Sequence, residues 1–313
     1  VVRNIVFDEN NHITSYNYVG TIASINMGTI QECVNNADIT ATNFAAGGIC
    51  GFMVNGCGTI KDCENYGNVK AMTYASGICG GSQSGKSITT YNYLIEDCLN
   101  SGKLSTTNGV GSAGIAGSYS GAIKNCNNNG NVDDTQGTAK SKQYTAGIVS
   151  CASFAVDIEG CYNRGTISGV KNVGGIVGNV MKGDEAATVI KNCRNDGSVS
   201  GQDMYVAGIV ANSARNEGVV SVVSCTNNGE VTSTGTTEFI GNLRGNTTIA
   251  LGEGNIIDAG LKALPLDPST ETGISNTNVN SGNTSNGVFL RNGQIVIVKN
   301  NKKYTVSGIE IAE

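Results

Sequence analysis

Apolar residues along this chain come in short runs of three to five, broken by Gly, Asn and Ser, and no stretch sustains a helical period. The runs recur at a fixed place relative to one cysteine. Cys33, Cys63, Cys98, Cys126, Cys161, Cys193 and Cys225 are spaced by 30, 35, 28, 35, 32 and 32 residues. Three residues before each stands an aliphatic: Ile30, Ile60, Ile95, Ile123, Ile158, Ile190 and Val222. Two residues after each stands an asparagine: Asn35, Asn65, Asn100, Asn128, Asn163, Asn195 and Asn227. Gly67, Gly102, Gly130, Gly165, Gly197 and Gly229 follow two residues later, with Ala37 as the exception. A branched aliphatic closes the word at Ile39, Val69, Leu104, Val132, Ile167, Val199 and Val231.

A second word, G-I-[CAV]-[GSA], precedes the first, as in Gly48-Ile49-Cys50-Gly51, Gly114-Ile115-Ala116-Gly117 and Gly175-Ile176-Val177-Gly178, with Val19-Gly20-Thr21-Ile22 as a degenerate first copy. Together the words define seven copies of a unit of about 32 residues over 19–243. A unit holding only three short β-prone pieces cannot bury its own apolar face, but stacking unit on unit hides it. The expected fold is all-β: a parallel β-solenoid of about seven coils, its strands about 4.8 Å apart, right-handed by analogy with parallel crossovers. The N-x-G step predicts a corner, because Asn tolerates and Gly favours the left-handed backbone region. Seven Asn at one corner can stack into an amide ladder. The seven Cys, one per coil, fit as small buried apolar residues, so most thiols are expected to be free.

Composition narrows the function classes. The chain has 44 Gly, roughly twice average usage, only 14% charged residues, six Phe and no Trp. A net charge of -5 offers no basic face for nucleic acid, and no apolar run reaches the roughly 18 residues that would insert into a membrane. Catalytic parts are scarce: the one His is His12, placed in the N-terminal cap as a surface residue. Gly85-Lys86-Ser87 matches only the end of a phosphate loop and lacks its strand and helix. Cys57 and Cys63 are not at zinc spacing, and Asp133-Asp134 and Asp184-Glu185 read as solvated loop acids rather than calcium ligands. No cofactor or metal is expected. Glu32, Asp62, Glu96, Asp97 and Glu159 lie just before the cysteines, where other copies carry Asn125, Asn192 and Ser224, so the position reads as a polar rung. Tyr74, Tyr144 and Tyr205, each three residues before a repeat Gly, form a candidate row for sugar stacking, with packing along a sheet as the competing reading.

At these two words the chain resembles the bacterial GLUG-motif repeats. Residues 48–51 with Gly58-Thr59-Ile60-Lys61-Asp62-Cys63-Glu64-Asn65-Tyr66-Gly67-Asn68-Val69 are the closest copy. Ile stands for Leu throughout, and the last Gly is lost at Ser150 and Ala211. The resemblance covers about two thirds of the chain. Such repeats occur in adhesins, large surface proteins and the non-catalytic parts of some secreted peptidases, so it implies an extracellular or cell-surface protein.

The remaining segments read as an N-terminal cap at 1–18, a C-terminal cap at 244–268, a polar linker at 269–286 and a three-stranded β tail at 287–313. The chain starts at Val1 and not at Met, which reads as a processed or trimmed form. Length varies between the words, with inserts at 80–94 and 133–144. Inserts project from a solenoid and form its usual binding surface. The expected function is a non-enzymatic adhesion or scaffold module, a monomer binding host or matrix glycan or protein. The alternative is a polysaccharide lyase or glycoside hydrolase built on a β-helix.

Overall fold

The computed structural model describes residues 1–85, 91–136, 143–181, 188–203, 205–213 and 220–233, and the backbone of strands at 237–243, 247–250, 287–291, 294–299, 302–304 and 310–311. Every described element is a β-strand, and the first unit, Val1–Ile257, is a parallel β-solenoid. A coil contributes five short strands where the sequence pattern suggested three pieces. In one complete coil they are Ala45–Gly47, Cys50–Met53, Cys57–Lys61, Glu64–Asn65 and Val69–Ala71. The first three belong to a 20-stranded sheet, the first sheet. The Glu64–Asn65 and Val69–Ala71 strands belong to two separate eight-stranded sheets, the second and third.

Register follows the words. Ile60 pairs with Ile30 and Ile95, Asn65 with Asn35 and Asn100, and Val69 with Ile39 and Leu104. Spacing differences between copies are absorbed between the strands. Where the connecting turn is absent, two strands fuse into one, as in Ala116–Lys124 and Val149–Glu159.

Both ends extend the stack. Segment 1–18 covers it as a further coil, its strands Val2–Arg3, Val6–Phe7 and His12–Ser15 pairing in parallel with those of the next coil. Phe7 takes the place of the repeat Asn there. Thr247–Ala250, within the segment read as the C-terminal cap, pairs in parallel with Val220–Val223, so the stack runs past 243. The linker at 269–286 lies outside the described residues. The second unit, Asp258–Glu313, holds an antiparallel sheet of four strands, because the last expected run divides into Lys302–Tyr304 and Glu310–Ile311.

Two apolar clusters fill the solenoid. The larger stacks the Ile30, Cys33, Ile49 and Cys50 columns, and the smaller the Ile39, Ala41 and Ala46 columns. A fully buried Ile contributes about 2 kcal/mol by removal from water. The asparagine column stands between the clusters, since Asn65 lies between Cys63 of one and Val69 of the other. Both words serve this waist. A Cβ on Gly48, Gly77, Gly114, Gly147, Gly175 or Gly208 would collide with the side chain of the repeat Asn in its own coil. A Cβ on Gly67, Gly102, Gly130, Gly165, Gly197 or Gly229 would strike the carbonyl oxygen of the preceding coil's corner residue.

That changes the account of the corner. The repeat Asn lies in a strand, and the N-x-G glycine is needed for close approach of backbones. The left-handed residue is the one before each Cys: Glu32, Asp62, Asp97, Asn125, Asn192 and Ser224 have φ between 50 and 54°, and Gly160 has 62°. The position read as a polar rung is therefore a turn, which explains its mixture of Asp, Asn, Gly and Ser, with Glu32 as the exception.

Candidate functional site

The asparagine column forms the ladder anticipated from the repeats. Asn35 Nδ2 donates to Asn65 Oδ1 at 2.7 Å, and the series continues through Asn100, Asn128, Asn163 and Asn195 to Asn227 at 2.6 to 2.8 Å. Each Nδ2 also donates to the carbonyl two residues on, as Asn65 does to Gly67 at 2.9 Å. The amides point one way along the axis, so each bond polarises the next. Exposure of these Asn does not exceed 4%, which leaves no face for a ligand.

The cysteine column, Cys33 to Cys225, is equally closed. Each thiol from Cys63 onward lies near the carbonyl two residues before it and one in the preceding coil, as Cys126 does with Lys124 at 3.1 Å and Ile95 at 3.7 Å. Burial pushes the thiols of Cys126 and Cys193 up, away from the reactive thiolate. All eleven cysteines are free, and Cys57 alone is not fully buried. Titration of the unreduced protein should therefore find one accessible thiol in the native state and all eleven in denaturant. Fewer than half free after denaturation would rule out the packed column.

Tyr74, Tyr144 and Tyr205 fall in one column of the first sheet, but Gly111 separates the first two and Asn172 the last two. All three are half-buried. Tyr74 packs edge-on against Phe44 at 5.8 Å, and Lys171 lies 5.3 Å over the Tyr205 ring. Burial raises the hydroxyls of Tyr74 and Tyr144. The rings are engaged with the protein and do not form a continuous open platform.

The acids divide into two groups. Glu32, Asp62 and Asp97 occupy the left-handed turn. Glu96 and Glu159 sit in a column of alternating charge, Lys61, Glu96, Lys124, Glu159 and Lys191, that sequence reading missed. Lys61 meets Glu96 at 3.0 Å and Lys191 meets Glu159 at 3.1 Å. Opposite charges on adjacent strands attract, weakly where solvent screens them as it does here. The signal was present as a charged residue two positions before the Cys in five of the seven copies, the first and last having Gln31 and Val223.

Asp134 is not the solvated loop acid expected. It is fully buried in the smaller cluster, where Oδ1 accepts from Thr106 N, Thr106 Oγ1 and Ser112 Oγ at 2.8 to 2.9 Å and Oδ2 from Thr145 Oγ1 at 3.1 Å. Burial raises its carboxyl pKa above the usual range, and the four donors only partly oppose this. The fold thus binds the proton more tightly than the unfolded chain, so this site's contribution is full at low pH and is lost as pH rises through the folded value. Asp134→Asn keeps three acceptor contacts at Oδ1 and can donate from Nδ2 to Thr145. It should melt above the parent at pH 7, with the gap closing as pH falls. A parent that is the more stable at pH 7 would mean that the hydrogen bonds outweigh the burial of charge. Asp184, Glu185, Lys86 and Ser87 lie outside the described residues.

The outer face of the third sheet carries a groove of about 880 Å³ that crosses several coils. Asp38, Lys70, Lys103, Asn131 and Asp133 line it, and Gln136 from the 133–144 insert forms part of one side. His12 lines its end in the first coil. Among the described residues, no group of three or more His, Cys, Asp or Glu is arranged to hold a metal ion, and no helix is long and apolar enough to cross a membrane.

No family model matches the chain, and no curated protein matches it. Among solved structures, one described as a "putative immunoglobulin A1 protease" from Bacteroides ovatus is similar over 72% of this chain and 79% of its own length, with 19% identity and a TM-score of 0.37. A likeness at that level says nothing about activity.

Proposed function

We propose that this chain is a non-enzymatic binding module displayed outside the cell, a monomeric rod that holds host or matrix glycan or protein on its side. The observation that carries this is where the polar groups lie. The repeated Asn and Cys are buried and satisfied within the rod, while the variable positions at the end of the first word and just after it line an open polar groove. The resemblance of the words to GLUG repeats supports an adhesin-like, secreted setting. Of the alternatives, a hydrolase requires paired carboxylates, and a lyase a base beside an acidic sugar with Arg or calcium neutralising its charge. Glu96 and Glu159 stand two rungs apart, about 9.6 Å by strand spacing, but each is engaged by a lysine.

A glycan array combined with assays for new reducing ends and unsaturated products tests the reading. Binding without turnover is expected. Release of product that Glu96→Gln or Glu159→Gln abolishes would establish the enzyme alternative instead.

A further inference from the structure

We propose that the groove on the third sheet binds an anionic polysaccharide, a chain of uronate or sulfated sugar units lying along the solenoid axis. This rests on the binding-module reading and names the ligand class of one of its surfaces.

Register places Asp38, Asn68, Lys103 and Asn131 in one outward column, with Lys70, Ser105 and Asp133 in the next but one. One oxygen of each acidic or amide side chain in these columns is turned to the protein itself. Asp38 Oδ1 accepts from Asn68 N at 2.8 Å, Asn68 Oδ1 from Lys103 N at 3.2 Å, and Asn131 Oδ1 from Thr166 N at 3.0 Å. Asp133 Oδ1 accepts from Thr135 N and Oγ1 at 3.0 and 2.7 Å. Those bonds also fix the two Asn side chains, so that each Nδ2 is left as a donor.

What remains facing solvent is a set of donors. Lys70, Lys103, Asn68 and Asn131 are all exposed, and among the described residues the two ammonium groups and the two amide Nδ2 atoms have no partner. Lys61 and Lys191 on the first sheet are by contrast held by Glu96 and Glu159. Four free donor groups thus face two leftover acceptors, Oδ2 of Asp38 and of Asp133, so the surface has donors in excess and suits a partner rich in acceptors, whose negative groups would meet the two unpaired ammonium groups. The donors repeat at about 4.8 Å along the axis, which suits a polymer running across the coils.

A polysaccharide fits this surface better than an acidic peptide. The apolar residues of the sheet, Ile39, Val69 and Leu104, are buried, so no pocket is offered to peptide side chains. The strands beneath are paired on both edges, which closes the route of strand addition. Exposed or half-buried hydroxyls at Thr40, Ser105 and Thr107 suit sugar hydroxyls between the charged positions.

The test is binding of the full chain to polygalacturonate, dextran sulfate, neutral dextran and poly-glutamate, by affinity electrophoresis and calorimetry. Polygalacturonate or dextran sulfate should bind, more weakly as salt rises, and dextran should not. Preference between the two polyanions distinguishes carboxylate from sulfate. Lys70→Ala and Lys103→Ala should each weaken binding about fivefold and the pair about twenty-five-fold, the size expected of exposed charge contacts, while Lys191→Ala leaves it unchanged. Unaltered binding by the double variant, or poly-glutamate bound as well as polygalacturonate, would overturn the assignment. If neither polyanion binds but a neutral glycan or a protein on an array does, the groove assignment falls and the binding-module reading stands. Turnover in the array assay removes the reading itself.

Discussion

Gly130→Ala is expected to abolish cooperative folding, or to cost more than about 4 kcal/mol if a folded state survives. A Cβ at Gly130 would sit on the Gly102 carbonyl oxygen and 2.6 Å from Asn100 Nδ2. One of those atoms is backbone in a paired coil and the other a member of the ladder, so neither can retreat without parting two rungs. Interiors packed this closely do not absorb a methyl group. Gly28→Ala is the matched control, because the nearest atom to its Cβ is Asn26 Oδ1 at 3.9 Å. It should melt within about 0.5 kcal/mol of the parent, or slightly higher through a stiffer unfolded chain. Urea melts followed by circular dichroism compare the three proteins. A Gly130→Ala variant that unfolds at the parent's midpoint would show that the coils are not in contact at this corner. Ala37 fits the same account. The preceding coil has four residues between Phe7 and His12 where the repeat has two between Asn35 and Asp38, so Ala37 does not meet another N-x-G corner.

The architecture was legible because a solenoid repeats its constraints. Each position that must be Asn, Cys, Ile or Gly announces itself once per coil, and pairing in register then follows from aligning the words. What sequence reading assigned wrongly was the physical reason for a repeated residue. Asn followed by Gly is a turn signal in general, yet here the left-handed backbone is at Asp62 and its equivalents, and Gly67 is glycine for want of room. Composition can show that a position needs a small residue without showing whether the need is a torsion angle or a near neighbour.

The candidate site was much less legible, and for the converse reason. Tyr74 and Tyr144 share a column, but the coil between them carries Gly111, and only the alignment of strands shows the gap. Asp134 follows Asp133 in a variable insert and looks like its twin. Strand alternation sends Asp133 to solvent and Asp134 into the core against Thr106, Ser112 and Thr145. The donors of the groove, Asn68, Lys70, Lys103 and Asn131, occupy positions at which the copies differ, so no repeat marks them. They become a set only when the coils are stacked.

Asn128→Ala should cost about 3 to 4 kcal/mol, the second largest effect expected. Its Nδ2 donates to Asn163 Oδ1 at 2.8 Å and to Gly130 O at 2.9 Å, and its Oδ1 accepts from Asn100 Nδ2 at 2.8 Å. All three bonds are lost together in a site closed to water. Asn100 Nδ2 keeps the Gly102 carbonyl at 3.1 Å, whereas Asn163 Oδ1 loses its ladder donor. A buried polar atom left without a partner costs roughly 1 to 3 kcal/mol, and the unfilled amide volume adds to it. Asn35→Ala should cost less, about 1 to 2 kcal/mol, because Asn35 has one ladder neighbour in place of two and sits in a coil near the end of the stack, where opening is local. Asn128→Asp separates hydrogen bonding from volume. It keeps the shape of the amide but turns a second acceptor towards Asn163 Oδ1 and the Gly130 carbonyl, so it should be at least as damaging as alanine at pH 7. Denaturant melts of the parent and these variants provide the ranking. If Asn128→Ala and Asn35→Ala share the parent's midpoint, the amide column holds nothing together, and the rod stands on its apolar clusters and glycine contacts alone.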